Sequence, residues 1–353
     1  MSAVTIISSS PDPSFAKTGS LVSVGFSVSK LLSSNSVNLQ SRVLTATQVA
    51  PNHYNASITI QDTDPEGSVT FSIIVIDYAG NQATTSTTSD NSAVIIDHTK
   101  PTLTSQVLST NGPVAGYAGV GKTVTLTYSS SEPLWWTSVV IAQQVATIIN
   151  STSNQFSATI TINQNSVAGL VNFTIQFLDR AGNVGNNITT VSDTSFAFIE
   201  TQAPFLSSVT IFGNAPAVGY AGLGKQITLQ FTSNVILSST TITLAGKSVT
   251  ATPATGTSFQ TFAIVDSTFP QGVAPFTINF FDQGGNAGVT VTNSTDQTQV
   301  IIGLFHFSFL FFSFLFLSFF LLLSFIDVQM LKKKSFFIHI FIVFLPNINH
   351  SYA

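Results

Sequence analysis

The pentapeptide Asp77-Tyr78-Ala79-Gly80-Asn81 returns as Asp179-Arg180-Ala181-Gly182-Asn183 and again as Asp282-Gln283-Gly284-Gly285-Asn286. The intervals are 102 and 103 residues. A signal repeating at that distance marks one module copied in tandem, so each copy must build its own core from the same plan. An enzyme keeps one active site. A series of near-identical modules supplies length, spacing or multivalent contact instead.

Other positions fall into register at the same offsets. Val22, Val24 and Phe26 match Val124, Leu126 and Tyr128, then Ile227, Leu229 and Phe231. Alternation of this kind marks a strand with one buried face. A turn glycine precedes it each time: Gly19, Gly121 and Gly224. A second strand starts at Tyr54, Phe156 and Phe259 and runs through Ile58 and Ile60, Ile160 and Ile162, and Ala263 and Val265. A third holds Phe71, Ile73 and Val75, then Phe173, Ile175 and Phe177, then Phe276, Ile278 and Phe280, and ends at the aspartate of the pentapeptide. No stretch up to Gly303 has helical periodicity. Short alternating strands with frequent turns predict an all-β chain of three tandem Ig-like antiparallel sandwiches, each of about seven strands. The predicted divisions are residues 1–98, 99–201 and 202–303, followed by a hydrophobic segment over 304–353.

Copies two and three share the loop Gly116-Tyr117-Ala118-Gly119-Val120-Gly121-Lys122 and Gly219-Tyr220-Ala221-Gly222-Leu223-Gly224-Lys225. Its glycines predict positive φ and close backbone approach. It lacks the phosphate-loop spacing and leads into a strand, so it is no nucleotide cradle. The linkers around Asp97-His98-Thr99-Lys100-Pro101 and Glu200-Thr201-Gln202-Ala203-Pro204 end one module and open the next, and proline stiffens them. With strands of ~10 residues rising ~3.3 Å each, three modules in line would reach on the order of 100 Å.

Charge narrows the function classes. Charged residues are only 7% of the chain, far below the roughly 25% of an average soluble protein. Up to Gly303 there are 8 Lys and Arg against 14 Asp and Glu, a net of −6, with no basic cluster. Nucleic-acid binding, which needs clustered cations on phosphates, is excluded. There is no cysteine, so neither disulfides nor thiolate metal sites are available. The start, Met1-Ser2-Ala3-Val4, lacks a charged leader and apolar run and falls inside the repeat register, which points to a chain truncated at its start.

The pattern Phe-x-Ile-x-(Val/Phe)-x-Asp-x-(Ala/Gly)-Gly-Asn, with an acidic, threonine- and proline-bearing linker some twenty residues on, resembles bacterial-type Ig-like repeats and hyalin-type repeats. The resemblance covers residues 1–303. It implies immunoglobulin-like sandwiches in tandem on extracellular or cell-surface proteins. The implied function is that of a non-enzymatic stalk or adhesive array, with other surface proteins or glycans as partners.

The pentapeptide aspartates read as turn formers, with Asp bonding the following N–H groups while Gly and Asn accept positive φ. Asp97 and Glu200, at the junctions, are the candidate Ca²⁺ ligands. One or two carboxylates fall short of the six to eight oxygens Ca²⁺ takes, so no cofactor is expected. Trp135 and Trp136 align with Ser33-Ser34 and Ser238-Ser239, and only copy two is aromatic here. Placed in a loop before a strand, they are the candidate ligand-binding residues for a glycan or protein; the competing reading is packing against the module or its neighbour. His53 and His98 are the only histidines of the repeats, and no Ser-His-Asp set or metal-spaced His pair accompanies them, so no catalytic residue is assigned. Asn55, Asn150, Asn172, Asn187 and Asn293 lie in sequons permissive for glycosylation.

At Gly303 the register breaks, and residues 304–326 carry no charge over a length that spans a bilayer. Lys332, Lys333 and Lys334 follow, which would place the repeats outside as a single-pass surface protein. The segment is almost only Phe, Leu and Ser, all encodable by T-rich codons, so the competing reading is a gene-model artefact. The membrane is a partner only on the first reading.

Overall fold

The computed structural model describes residues 1–152 and 154–303. The hydrophobic tail 304–353, with its candidate span 304–326, lies outside the described residues. Among the described residues every regular element is a strand, and no helix is long and apolar enough to cross a membrane.

The alternating columns become strands for the reason that predicted them: each lays one apolar edge on a shared core. In the first copy Leu21–Ser27 lies between Ser2–Ser8 and His53–Thr59, all antiparallel. The facing sheet pairs Phe71–Asp77 with Leu32–Leu39 and Gln82–Thr85. Val22, Val24 and Phe26 from one sheet meet Val37, Leu39, Ile73 and Val75 from the other in one buried cluster. The second copy repeats this with Thr123–Ser130 between Leu103–Thr110 and Gln155–Thr161, and with Leu134–Ile141 against Phe173–Asp179. Its core gathers Val124, Leu126, Tyr128, Val139, Ile175 and Phe177. The chain is thus an all-β series of Ig-like sandwiches.

One cross-strand aromatic pair recurs in all three copies. Phe26 stacks on Tyr54 at 5.4 Å, Tyr128 on Phe156 at 5.1 Å and Phe231 on Phe259 at 4.9 Å between ring centroids. Stacked pairs add to the area they bury.

The third copy differs in one element. The first and second copies break between Ser27 and Leu32 and between Ser130 and Leu134. Pro133 at the second break removes a backbone donor. In the third copy Asn234-Val235-Ile236 contains no proline, and Gln226–Leu244 runs unbroken for 19 residues. Compactness divides the described chain into two units: Met1–Ile211, Thr228–Ala263 and Pro275–Thr298 form the first, and Phe212–Ile227, Ile264–Ala274 and the described residues from Gln299 form the second. In the second unit, Tyr220–Ala221 pairs in parallel with Ile301–Ile302, which also pairs with Gly272–Val273.

Candidate functional site at the repeat joints

The pentapeptide aspartate caps its own turn. Asp179 Oδ1 accepts from the backbone N–H of Gly182 at 2.7 Å and of Asn183 at 2.8 Å, and its Oδ2 accepts from Asn183 Nδ2 at 2.9 Å. Asp77 holds Asn81, and Asp282 holds Asn286, by the same backbone and side-chain bonds. Gly80, Gly182 and Gly285 take φ of +79°, +92° and +93°. The expectation that the asparagine also adopts positive φ is corrected: its backbone is ordinary, and it works through its side-chain amide.

That amide makes a second bond in copies two and three. Asn183 Nδ2 donates to the carbonyl of Asp97 at 2.9 Å, and Asn286 Nδ2 donates to the carbonyl of Glu200 at 3.0 Å. Asp97 and Glu200 occupy the same repeat column, so the turn of one repeat clasps the linker leaving the repeat before it. All these residues belong to the first compact unit.

Different side chains complete the two joints. At the first, Arg180 bonds Asp12 from Nε at 2.7 Å and lies 4.6 Å above the Phe15 ring, while Lys17 Nζ donates to the Gly182 carbonyl at 2.5 Å. Burial pushes the Asp12 carboxyl up, but the Ser14 N–H and Arg180 outweigh it and hold it below the usual range. At the second, the Gly119 N–H donates to the Gly284 carbonyl at 2.8 Å, Val120 N–H to Asn286 Oδ1 at 2.9 Å, and Gly284 N–H to Glu200 Oε2 at 2.5 Å. A Cβ on Gly284 would stand 2.7 Å from the Gly119 nitrogen, so close backbone approach demands glycine there. Asp179 and Asp282 are at most 1% exposed, whereas Tyr78 in the first copy's turn is 78% exposed.

Of the two candidate Ca²⁺ ligands, Asp97 gains company and Glu200 is used otherwise. Asp97, Glu132 and Asp179 bring carboxylate oxygens within 4.8 Å of one another. Burial and then Asp97, Asp179 and Glu66 push the Glu132 carboxyl up to about 7. Burial, then Asp179 and Glu66, also raise Asp97. Giving one oxygen each, three carboxylates supply no more than half of what Ca²⁺ takes, and both oxygens of Asp179 already serve its turn. The charge is relieved most simply by a proton on Glu132. Glu132 was not legible as a site residue, since Lys30 and Val235 stand in its column.

The tryptophans are not in a loop, as the sequence suggests, but in the strand Leu134–Ile141. Trp135 is the extra residue of a bulge, between the pairs Leu134–Asp179 and Trp136–Leu178. The same bulge holds Ser33 and Ser238 in the other copies. Ser33 Oγ donates to the carbonyls of Ile76 and Asp77, and Ser238 Oγ to those of Phe281 and Asp282. Trp135 forfeits those bonds and, with Trp136, stands 51% and 47% exposed.

His53 does meet a serine: its Nδ1 lies 2.8 Å from Ser27 Oγ across the first sheet, beside an open groove with Gly25 and Asn55. No carboxylate bonds this imidazole among the described residues, so the pair lacks the orienting acid of a nucleophilic triad. His98 instead ties the first linker to Thr18 and to the Asp64 carbonyl. Of the sequon asparagines, Asn172, Asn187 and Asn293 are exposed, Asn55 is half-buried, and Asn150 lies in the strand Thr147–Thr152.

No protein-family model and no curated protein sequence matches the chain. Among solved structures it is similar to a 1.5-MDa bacterial ice-binding adhesin, at 18% identity over 86% of this chain and 98% of that one, with a TM-score of 0.38. A Ca²⁺-stabilised adhesin of an Antarctic bacterium is similar at 15% identity over 86% of this chain and 74% of that one, with a TM-score of 0.41. The I9–I11 tandem of titin is similar at 11% identity over 82% of this chain and 96% of that one, at 0.33. Likenesses at this level place the chain in no family.

Proposed function

We propose that the chain is a non-enzymatic structural array of an extracellular or cell-surface protein. Repeats 1–98, 99–201 and 202–303 act as successive modules of a stalk or adhesive surface. The observation that carries this reading is the joint made twice by one chemistry, Asn183 to the Asp97 carbonyl and Asn286 to the Glu200 carbonyl. A turn spent on holding the preceding linker serves spacing and stiffness, which an array needs. Surface proteins or glycans are the proposed partners, and no cofactor is part of the proposal.

Asparagine-to-alanine substitution tests it with an internal control. All three asparagines bond their own aspartate, but among the described residues only Asn183 and Asn286 also hold a linker. Asn81→Ala should cost about 0.5–1.5 kcal/mol, and Asn183→Ala or Asn286→Ala about 1–3 kcal/mol, because a linker carbonyl also loses its donor. Urea unfolding of the full-length variants reads the difference; equal costs would count against a working joint.

A second reading, recognition of a glycan or protein by Trp135 and Trp136, is favoured by the loss of the bulge serine to an exposed aromatic pair. The Trp135→Ala/Trp136→Ala variant should bind less of any glycan or protein ligand captured by the wild type, while melting within about 2 °C of it, as half-exposed side chains carry little stability. A fall of many degrees would assign the pair to packing.

A further inference from the structure

The outer face of the first copy's sheet has a trough where the other copies carry a side chain. Thr5, Gly25 and Asn55 stand side by side across three strands. The column of Gly25 holds Thr127 in copy two and Gln230 in copy three. Gln230 even reaches across to Gln260, in the column of Asn55, at 3.0 Å. With no side chain at Gly25, a groove of about 440 Å³ opens above it, within the roughly 300–1,000 Å³ of small-molecule sites.

Neither the backbone nor the packing demands this glycine. Its φ lies outside the left-handed region. A Cβ on it would meet Thr5 Oγ1 at 3.4 Å and the Tyr54 carbonyl at 3.9 Å, which are ordinary contacts. Glycine in the middle of a strand costs stability, so an unforced one marks a place where another molecule comes close to the backbone.

The lining sets what that molecule is. Ser27 Oγ lies 2.8 Å from His53 Nδ1, Asn55 Nδ2 donates to Ser57 Oγ at 3.3 Å, and these bonds orient the imidazole and the amide. Among the described residues His53 Nε2, Asn55 Oδ1 and Thr5 Oγ1 make no hydrogen bond, and all three residues line the groove. Ile7 and Val49, both exposed, give it aliphatic edges. No Asp, Glu, Lys or Arg lines it.

We infer that this groove binds an uncharged saccharide, one ring of a surface glycan, with Gly25 as its floor. The amide oxygen, the hydroxyl and the imidazole exchange hydrogen bonds with sugar hydroxyls, and the aliphatic edges take the C–H faces. An anionic sugar would find no cation there, and a cationic ligand no carboxylate. A purely apolar ligand would strand the three polar groups without partners. The inference rests on the array reading for its class of partner.

NMR titration of the full-length chain with glucose, galactose, mannose and N-acetylglucosamine tests it. At least one sugar should shift the His53 ring and Asn55 amide signals, with a Kd on the order of 1 mM for a single small ring in an open groove. Gly25→Thr, the residue of copy two, should weaken binding at least about tenfold by filling the trough. It should also melt no lower than wild type, since threonine suits a strand better than glycine. Asn55→Ser, again the residue of copy two, should weaken binding about threefold or more. Val43→Ala, exposed and outside the groove, should leave it unchanged. No shift with any of the four sugars, or a Gly25→Thr chain that binds like wild type, would overturn the inference. A Gly25→Thr chain melting several degrees lower would overturn it too, because the glycine would then serve packing. None of these results touches the cost of Asn183→Ala, which tests the array reading separately.

Discussion

Glu132 carries a charge penalty that can be read by pH. Unfolded, its carboxyl titrates near 4.5; in the fold, burial and then Asp97, Asp179 and Glu66 push it up to about 7. Below pH 4.5 both states hold the proton and nothing is lost. Between 4.5 and about 7 the unfolded chain ionises while the folded one keeps its proton, so stability falls as pH rises, and above 7 the loss is complete. Asp97 is raised by burial and by Asp179 and Glu66, and acts in the same direction. Asp12 and Asp64 are lowered, and their contribution is lost only as pH falls below their ordinary value of 3.8. Calorimetry should therefore show wild type melting lower at pH 8 than at pH 5, with Glu132→Gln flattening that difference and raising the value at pH 8. An unchanged slope in the variant would show that Glu132 holds no proton there. The pentapeptide column made the asparagines easy to find, but their second bond spans 86 residues and no local pattern encodes it. Glu132 was hidden for a different reason: it occurs in one copy only.

The strands were the most legible elements, because alternation fixes which face is buried. What alternation cannot give is how opposing positions share volume. In copies two and three, Phe177 and Phe280 fill the core beneath Gly185 and Gly288, and a Cβ on either glycine would overlap the ring. The same columns in copy one hold Val75 and Ala83, directly paired across the sheet. Large-with-none and medium-with-small are two solutions to one space. Gly185→Ala should destabilise by about 1–3 kcal/mol, and adding Phe177→Val should recover part of that loss, a coupling measurable by a double-mutant cycle. Additive costs would deny the shared volume. The Trp135 bulge was equally opaque: the sequence placed both tryptophans in a loop, whereas the serine bonds that reveal the bulge belong to the other two copies.

At the scale of the whole chain, the repeat interval announced tandem modules before any side chain was considered. On the proposed array reading, the joints give that arrangement a physical purpose. Copies two and three each spend the pentapeptide turn on the linker of the copy before, and charged groups gather at the first of these contacts, where Arg180 bonds Asp12 and the carboxylates of Asp97, Glu132 and Asp179 lie close together. The central claim is that the chain is mechanically a series of three equivalent modules. Single-molecule stretching of the full-length chain tests it most directly. The account predicts three unfolding events, each freeing about 100 residues and hence about 330–360 Å of extended chain before the folded span is subtracted. Release in one event, or in two events of unequal length, would contradict it.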